Sequence, residues 1–135
     1  DNTRSRGLGD VYKRQRDWLF VNDHVTALEK ILVSASPGST YCIGGDEEIS
    51  NIELVKKICK ILDKIIPNPN KDNNHNLIKL VKDRPGHDFR YSINSDKIKQ
   101  ELKWNPNTKL NEGLEQTIKW YVENEKWWRS IVFDE

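Results

Sequence analysis

Methionine is missing from this sequence altogether, and cysteine occurs only twice. A chain translated from its own start would open on methionine, so a fragment or a processed product is expected. Cys42 and Cys59 match no metal-ligand or dithiol spacing, which removes zinc-ribbon and thioredoxin-like chemistry. Cys59 falls on the apolar face of a predicted helix, where it reads as a small packed hydrophobe. A disulfide to Cys42 stays open, but a reduced, cytoplasmic chain is the better expectation. No run approaches the roughly 18 apolar residues of a membrane span, and no signal-peptide pattern opens the chain. Neither sign of charge dominates: 22 basic against 21 acidic residues leave +1, which argues against wholesale nucleic-acid or membrane binding. At 135 residues the chain is one domain or a piece of one. A mean hydropathy of −0.80 marks it as polar but foldable. Internal repeats and coiled-coil heptads are also absent.

Alternating strands and helices are what remains. Trp18 to Val21 reads as a short apolar strand, after which Asn22 or Asp23 can cap a helix with Ala27, Leu28, Ile31 and Leu32 on one face. Ser36-Pro37-Gly38 ends that helix, and Ser39 to Gly45 reads as a second strand. Ser50-Asn51-Ile52-Glu53 is a capping box. It opens a helix with Val55, Ile58, Cys59, Leu62, Ile65 and Ile66 in one stripe, closed by Pro67. Asn68 to Asn76 is a solvated loop, and Ile78 to Val81 a third strand. Ser95 or Asn94 can cap a short helix carrying Ile98 and Leu102, with Pro106 beyond it. Asn111 starts the last helix, with Leu114, Ile118, Tyr121 and Val122 inward and Trp127-Trp128 at its end. The tryptophans fall at helical spacing, which favours sealing between helices over a substrate platform.

The segment with the most chemistry in it follows the third strand: Lys82-Asp83-Arg84-Pro85-Gly86-His87-Asp88-Phe89-Arg90-Tyr91. Pro85-Gly86 suits the centre of a type II turn, which would bring Arg84 and His87 within about 7 Å at Cα. A guanidinium and an imidazole held side by side can grip an anion. The alternative is a surface turn whose Asp83, Arg84, Asp88 and Arg90 pair among themselves. Arg16, before the first strand, can engage a diphosphate bidentately, or form an inconsequential pair with Asp17. Asn51 stands in the first turn of a helix, where polar side chains are common and anions are favoured. His24 reads as a capping or packing residue and His75 as inert. No metal-ligand spacing and no Ser-His-Asp arrangement is found.

Asp83-Arg84-Pro85-Gly86-His87-Asp88, with Arg90-Tyr91, resembles a motif in the C-terminal part of dTDP-glucose 4,6-dehydratases. These are NAD-dependent members of the extended short-chain dehydrogenase/reductase group. Arg16-Asp17-Trp18-Leu19-Phe20-Val21-Asn22-Asp23-His24 is similar to the family's Arg-Asp-Trp-Leu-Tyr-Val-x-Asp-His stretch. Tyr41-Cys42-Ile43-Gly44-Gly45, with Asn51, is similar to its Tyr-Asn-Ile-Gly-Gly stretch. The resemblance runs from Arg16 to Trp128. Its Arg-Pro-Gly-His turn is the more specific part, since the other two stretches recur loosely among nucleotide-sugar enzymes.

What the resemblance implies is an α/β fold: the mixed, C-terminal substrate-binding part of the enzyme, with the Rossmann cofactor domain mostly missing. It implies substrate contacts from Arg16, Asn51, Asp83, Arg84, Pro85, Gly86 and His87, with Arg16 on the diphosphate, Arg84 and His87 on a second phosphate and nucleotide contact, and Asn51 at the nucleotide end. The family's reaction oxidises dTDP-glucose at C4 with bound NAD, eliminates water across C5 and C6, and returns hydride to C6. The product, dTDP-4-keto-6-deoxyglucose, feeds rhamnose or other deoxysugar synthesis. The family's glycine-rich cofactor turn, its Tyr-x-x-x-Lys pair and its acidic elimination residues have no match here. The fragment is therefore expected to be inactive alone, to bind no metal and no cofactor itself, and to belong to a homodimer when complete. Alternatives are the same region of a nucleotide-sugar epimerase or decarboxylase, or a non-catalytic binding module. Residues 1–15 match nothing in the family and read as translated sequencing adapter; this segment is expected to be loose and functionless, with the binding part spanning 16–135. Gly7 and Gly9 do not form a dinucleotide loop, because no strand precedes them and no apolar helix follows.

Overall fold

A computed structural model of the chain describes residues 10–67, 69, 73–81, 83 and 87–133. In chain order these form strand β1 (Gln15–Asp17), helix α1 (Val21–Ser34), strand β2 (Glu48–Ser50) and helices α2 (Asn51–Ile65), α3 (Asp96–Leu102), α4 (Leu110–Glu123) and α5 (Glu125–Val132). Short 3-10 turns cover Asp10–Lys13 and Asn74–Leu77. The result is a helix-rich α/β unit around a small sheet, the class the sequence implied.

β1 and β2 are antiparallel, with Gln15 opposite Ser50, Arg16 opposite Ile49 and Asp17 opposite Glu48. The segment around Arg90 joins the free side of β1 through a single parallel bridge: the Gln15 N–H donates to the Phe89 carbonyl (3.0 Å) and the Tyr91 N–H to the Gln15 carbonyl (3.1 Å). β1 is thus the middle of three backbone segments, and it draws together sequence more than seventy positions apart.

The sheet lies elsewhere than the apolar runs predicted. Trp18 to Phe20 form no strand, and Val21 already begins α1; β1 sits just before them on polar residues. Ser39 to Gly45 and Ile78 to Val81 are likewise in neither strand nor helix. The physical reason is that a strand exists only through a neighbour, and none of these runs has a ladder partner among the described residues. Tyr41 and Ile43 still alternate inward, packing on a core of Ala27, Ile98, Leu102 and Trp104. Residues 10–15, expected to be loose, are held by the Arg14 carbonyl accepting the Asn51 N–H (2.9 Å) and by β1 itself.

The helices follow their local signals more closely. The Ser50 hydroxyl accepts the Glu53 N–H (3.3 Å), while the Glu53 carboxylate accepts the Ser50 N–H (3.0 Å) and closes the capping box that starts α2. α1 is not capped by Asn22 or Asp23. Instead Phe20 takes the cap position, and the buried Asp23 carboxylate accepts the Thr108 N–H (2.9 Å), tying α1 to the approach of α4. Lys30 on α1 donates to the carbonyls of Leu102 and Lys103, and Thr26 accepts the Trp104 indole N–H (3.1 Å). α3 is thereby fastened across α1. The last predicted helix is broken at Asn124 into α4 and α5, leaving Tyr121 and Trp127 half exposed, each with its ring edge-to-face on Trp120 at 5.2 and 5.3 Å.

Candidate functional site

Arg16 stands at the centre of β1, with His87, Asp88 and Tyr91 beside it and Asp83 behind His87. The Arg16 Nη2 donates to His87 Nε2 at 2.5 Å, although the two residues are 71 positions apart. A guanidinium can only donate, so Nε2 is the accepting nitrogen and the ring proton lies on Nδ1. That proton is donated to Asp83 Oδ1 at 2.7 Å. Asp83 therefore fixes both the tautomer and the orientation of His87, as a carboxylate behind a working imidazole does elsewhere. Arg14 donates to the other Asp83 oxygen through Nε (2.8 Å) and Nη2 (2.5 Å). The side chains of Arg14, Asp83 and His87 are 15%, 12% and 12% exposed, so this chain of charge is sheltered but open at one side.

The rest of Arg16 is held by backbone and ring. Nη1 donates to the Gln15 carbonyl (2.6 Å), Nη2 also reaches the Asp88 carbonyl (3.3 Å), and Cζ lies 4.4 Å from the Tyr91 ring centroid. On the opposite face of the sheet Arg90 pairs with Glu48 (2.7 and 3.0 Å), and the Ser92 hydroxyl donates to the same carboxylate. Those contacts, Arg90 foremost and then Ser92, hold the Glu48 carboxyl below its ordinary range.

Asp17, the next residue on β1, has a different task. Its carboxylate accepts the backbone N–H groups of Gly45 and Glu47 at 3.1 Å. A Cβ on Gly44 would overlap that carboxylate, and one on Gly45 the Trp18 carbonyl. The Arg-Asp-Trp and Gly-Gly stretches are thus two halves of one contact. The aspartate holds a turn that only glycine permits, and the turn returns the chain to pair as β2.

Of the residues singled out from sequence, Arg16, Asp83 and His87 are brought into one connected group. Asn51 lies beside it, one position past β2, with its side-chain amide donated to the Val11 carbonyl (3.0 Å). Arg84, Pro85 and Gly86 lie outside the described residues. Asp83 hydrogen-bonds with Arg14 and His87, Asp88 with Tyr91, and Arg90 with Glu48; Arg84, the remaining member of the surface pairing considered as the alternative, lies outside the described residues. Sequence reasoning missed Asp17 and Tyr91, and set Arg14 aside with the segment thought foreign. Tyr91 had a usable signal, being the last residue of the motif. An open, mainly apolar cleft of about 640 Å³ lies between Trp18–Asn22 and α4, with Phe20, Gly113 and Trp120 on its walls; Arg16, Asn51, Asp83 and His87 do not line it.

The family model of GDP-mannose 4,6 dehydratase matches residues 3–117. The chain belongs to this dehydratase family. A dTDP-glucose 4,6-dehydratase of Escherichia coli is 46% identical over 119 residues, covering 87% of this chain and 33% of that one. The Bacillus anthracis dTDP-glucose 4,6-dehydratase, solved in complex with NAD, superposes with a TM-score of 0.73 at 38% identity, over 87% of this chain and 34% of its own. The Streptomyces venezuelae enzyme, solved with NAD and thymidine diphosphate bound, gives 0.70 at 33% identity over the same shares. The resemblance carried by the three sequence stretches is borne out. This member of the dehydratase family spans about a third of the length of the relatives it matches.

A dinucleotide seats its pyrophosphate on a glycine-rich turn leading from a strand into a helix. Among the described residues of this family member, β2 passes directly into α2 through Ser50-Asn51, and Gly44-Gly45 is filled by Asp17 and the Trp18 carbonyl. The described residues do not fit NAD. No group of three His, Cys, Asp or Glu among them could hold a metal ion, and no described helix is long and apolar enough to cross a membrane.

Proposed function

We propose that this chain holds the nucleotide diphosphate of dTDP-glucose within an NAD-dependent dTDP-glucose 4,6-dehydratase, an enzyme of deoxysugar biosynthesis. The observation that carries the reading is the contact between Arg16 and His87, which links two of the three stretches shared with dTDP-glucose 4,6-dehydratases. A planar cation beside an imidazole of fixed tautomer offers in-plane donors to phosphate oxygens, the geometry diphosphates are bound by. Arg16 takes the diphosphate. Arg84 and His87, on either side of Pro85-Gly86, make the second phosphate and nucleotide contact. Arg84 donates to the phosphate, while His87, whose Nδ1–H is committed to Asp83, accepts from the nucleotide at Nε2 once Arg16 turns to the diphosphate. Asn51 serves the nucleotide end once its amide exchanges the Val11 carbonyl for the ligand.

In this reading the chain binds and orients, and the reacting groups and NAD are supplied from outside it; alone it is inactive. The complete enzyme is a cytoplasmic homodimer. Positioning of this kind can account for several kcal/mol of a barrier, so its loss is felt in both KM and kcat. A second reading keeps the clamp and changes the base and sugar, as in an epimerase. It draws on a likeness to an archaeal epimerase structure at 27% identity and a TM-score of 0.66.

The test is a titration of dTDP and UDP, followed by Arg16→Ala and Arg84→Ala in the complete subunit. Each substitution removes charge-assisted hydrogen bonds of about 1.5–3 kcal/mol and is expected to raise KM for dTDP-glucose tenfold or more. Unchanged kinetics in both variants would remove the assignment. Equal or tighter binding of UDP would move it to the second reading.

A further inference from the structure

We infer that Tyr91 is a positioning residue for the anion clamp: its ring fixes the plane of the Arg16 guanidinium so that the N–H edges face the phosphate. This inference rests on the proposed role of Arg16 and extends it to a residue outside the set assigned above.

The backbone puts the two side chains on one face. Gln15 receives and gives its hydrogen bonds at Phe89 and Tyr91, which sets Gln15 level with Arg90. Side chains alternate along extended backbone, so the next residues on each segment, Arg16 and Tyr91, share the opposite face from Arg90 and Glu48. The observed contacts agree, with Arg16 over Tyr91 at 4.4 Å and Arg90 against Glu48. The ring is itself braced, because the Tyr91 hydroxyl donates to Asp88 Oδ2 at 2.5 Å while the Asp88 carbonyl accepts from Arg16.

The chemistry of that placement separates Tyr91 from the other neighbours of Arg16. His87, Gln15 and Asp88 each take an N–H, the same groups a phosphate needs. An aromatic face attracts the cation through its quadrupole and takes no donor. It therefore removes rotational freedom from a flexible side chain without occupying a further N–H, so that Nε–H and the second Nη1–H remain for the ligand. Preorganisation of this kind shows as affinity.

Binding of thymidine diphosphate to the full chain, measured by calorimetry, tests this with Tyr91→Leu, Tyr91→Phe, Arg16→Ala and the double variant Arg16→Ala/Tyr91→Leu. Tyr91→Leu is expected to weaken binding about fivefold, in line with an exposed cation–π contact. Tyr91→Phe, which keeps the face, should restore most of it. In the Arg16→Ala background the leucine substitution should have no further effect. The Arg16 Nε–H proton resonance should also move downfield in Tyr91→Leu, since the ring no longer shields it. Tyr91 is 46% exposed, so the two single Tyr91 variants should keep the wild-type melting temperature. If Arg16→Ala weakens binding and Tyr91→Leu does not, or weakens it equally in both backgrounds, the positioning role is wrong and the clamp stands. If Arg16→Ala itself leaves binding unchanged, the clamp fails and Tyr91 falls with it.

Discussion

Asp17 and Arg16 are neighbours on β1 with opposite duties, and substitution should separate them. Asp17 faces the turn and satisfies the Gly45 and Glu47 amides, so it belongs to the fold. Replacing it with alanine leaves both N–H groups without that charged acceptor, a loss of about 1.5–3 kcal/mol. Gly45→Ala attacks the same contact from the other side by driving a methyl group into the Trp18 carbonyl, and should destabilise by about 1–3 kcal/mol. Because the two act on one turn, the double variant should be less destabilised than their sum. Chemical denaturation of the three variants checks this, and strict additivity would show that the turn and the aspartate are independent. Arg16→Ala also removes contacts to His87, Asp88 and Tyr91, so it should lower the denaturation midpoint as well, but its larger effect should be loss of the anion site. Both residues sit in a quoted motif. The sequence made Arg16 legible as an anion ligand because guanidinium chemistry is specific. It concealed Asp17, whose role depends on a backbone 28 positions away.

At the level of elements, α2 is the part whose start is written most plainly in the chain, and its cap yields a pH prediction. Hydrogen bonds from the Ser50 hydroxyl, and next from the Ser50 backbone N–H, hold the Glu53 carboxyl below its ordinary range. With the folded value below the unfolded one, the unfolded chain takes up the proton first on acidification. The stabilisation is then complete above the ordinary glutamate value of about 4.3 and is lost as pH falls through the folded value. Thermal unfolding of Glu53→Gln should therefore lie below wild type at neutral pH and converge with it in strong acid. A gap that persisted at low pH would mean the carboxylate charge is irrelevant to the cap. Ser50→Ala should lower stability by about 1 kcal/mol at any pH above that range. Helices were readable here because caps and periodicity are local. The strands were not, because β1 and β2 are short and polar while the apolar runs that look like strands lack a partner among the described residues. Tyr41 and Ile43 still show the alternation of a strand, packed on the core by one face with no ladder alongside among the described residues.

Taken whole, the molecule has a narrow interior and an unusually apolar exterior, and α1 shows both. Asp23, Ala27 and Ile31 face inward, where Ala27 meets Ile98, Leu102 and Trp104. Val21, Val25, Leu28 and Leu32 recur on the outer side at helical spacing, and all are exposed, Leu32 by 87%. Apolar residues on two different sides of one helix are the pattern of a helix covered on both, and large exposed apolar patches are rare on monomeric proteins. The sequence alone placed Leu28 and Leu32 with Ala27 and Ile31 on one buried face, since periodicity cannot tell which half of such a helix is covered. The two halves should respond oppositely to substitution. Ile98→Ala empties a fully buried position and should destabilise by about 2–5 kcal/mol. Leu32→Lys and Leu28→Lys should change stability by no more than about 0.5 kcal/mol and should raise solubility by interrupting the apolar stripe. Urea midpoints and saturation concentrations of the three variants measure both effects. A loss above about 2 kcal/mol in Leu32→Lys would mean that this side of α1 is packed in solution, and the division of the helix into a covered and an open face would have to be redrawn.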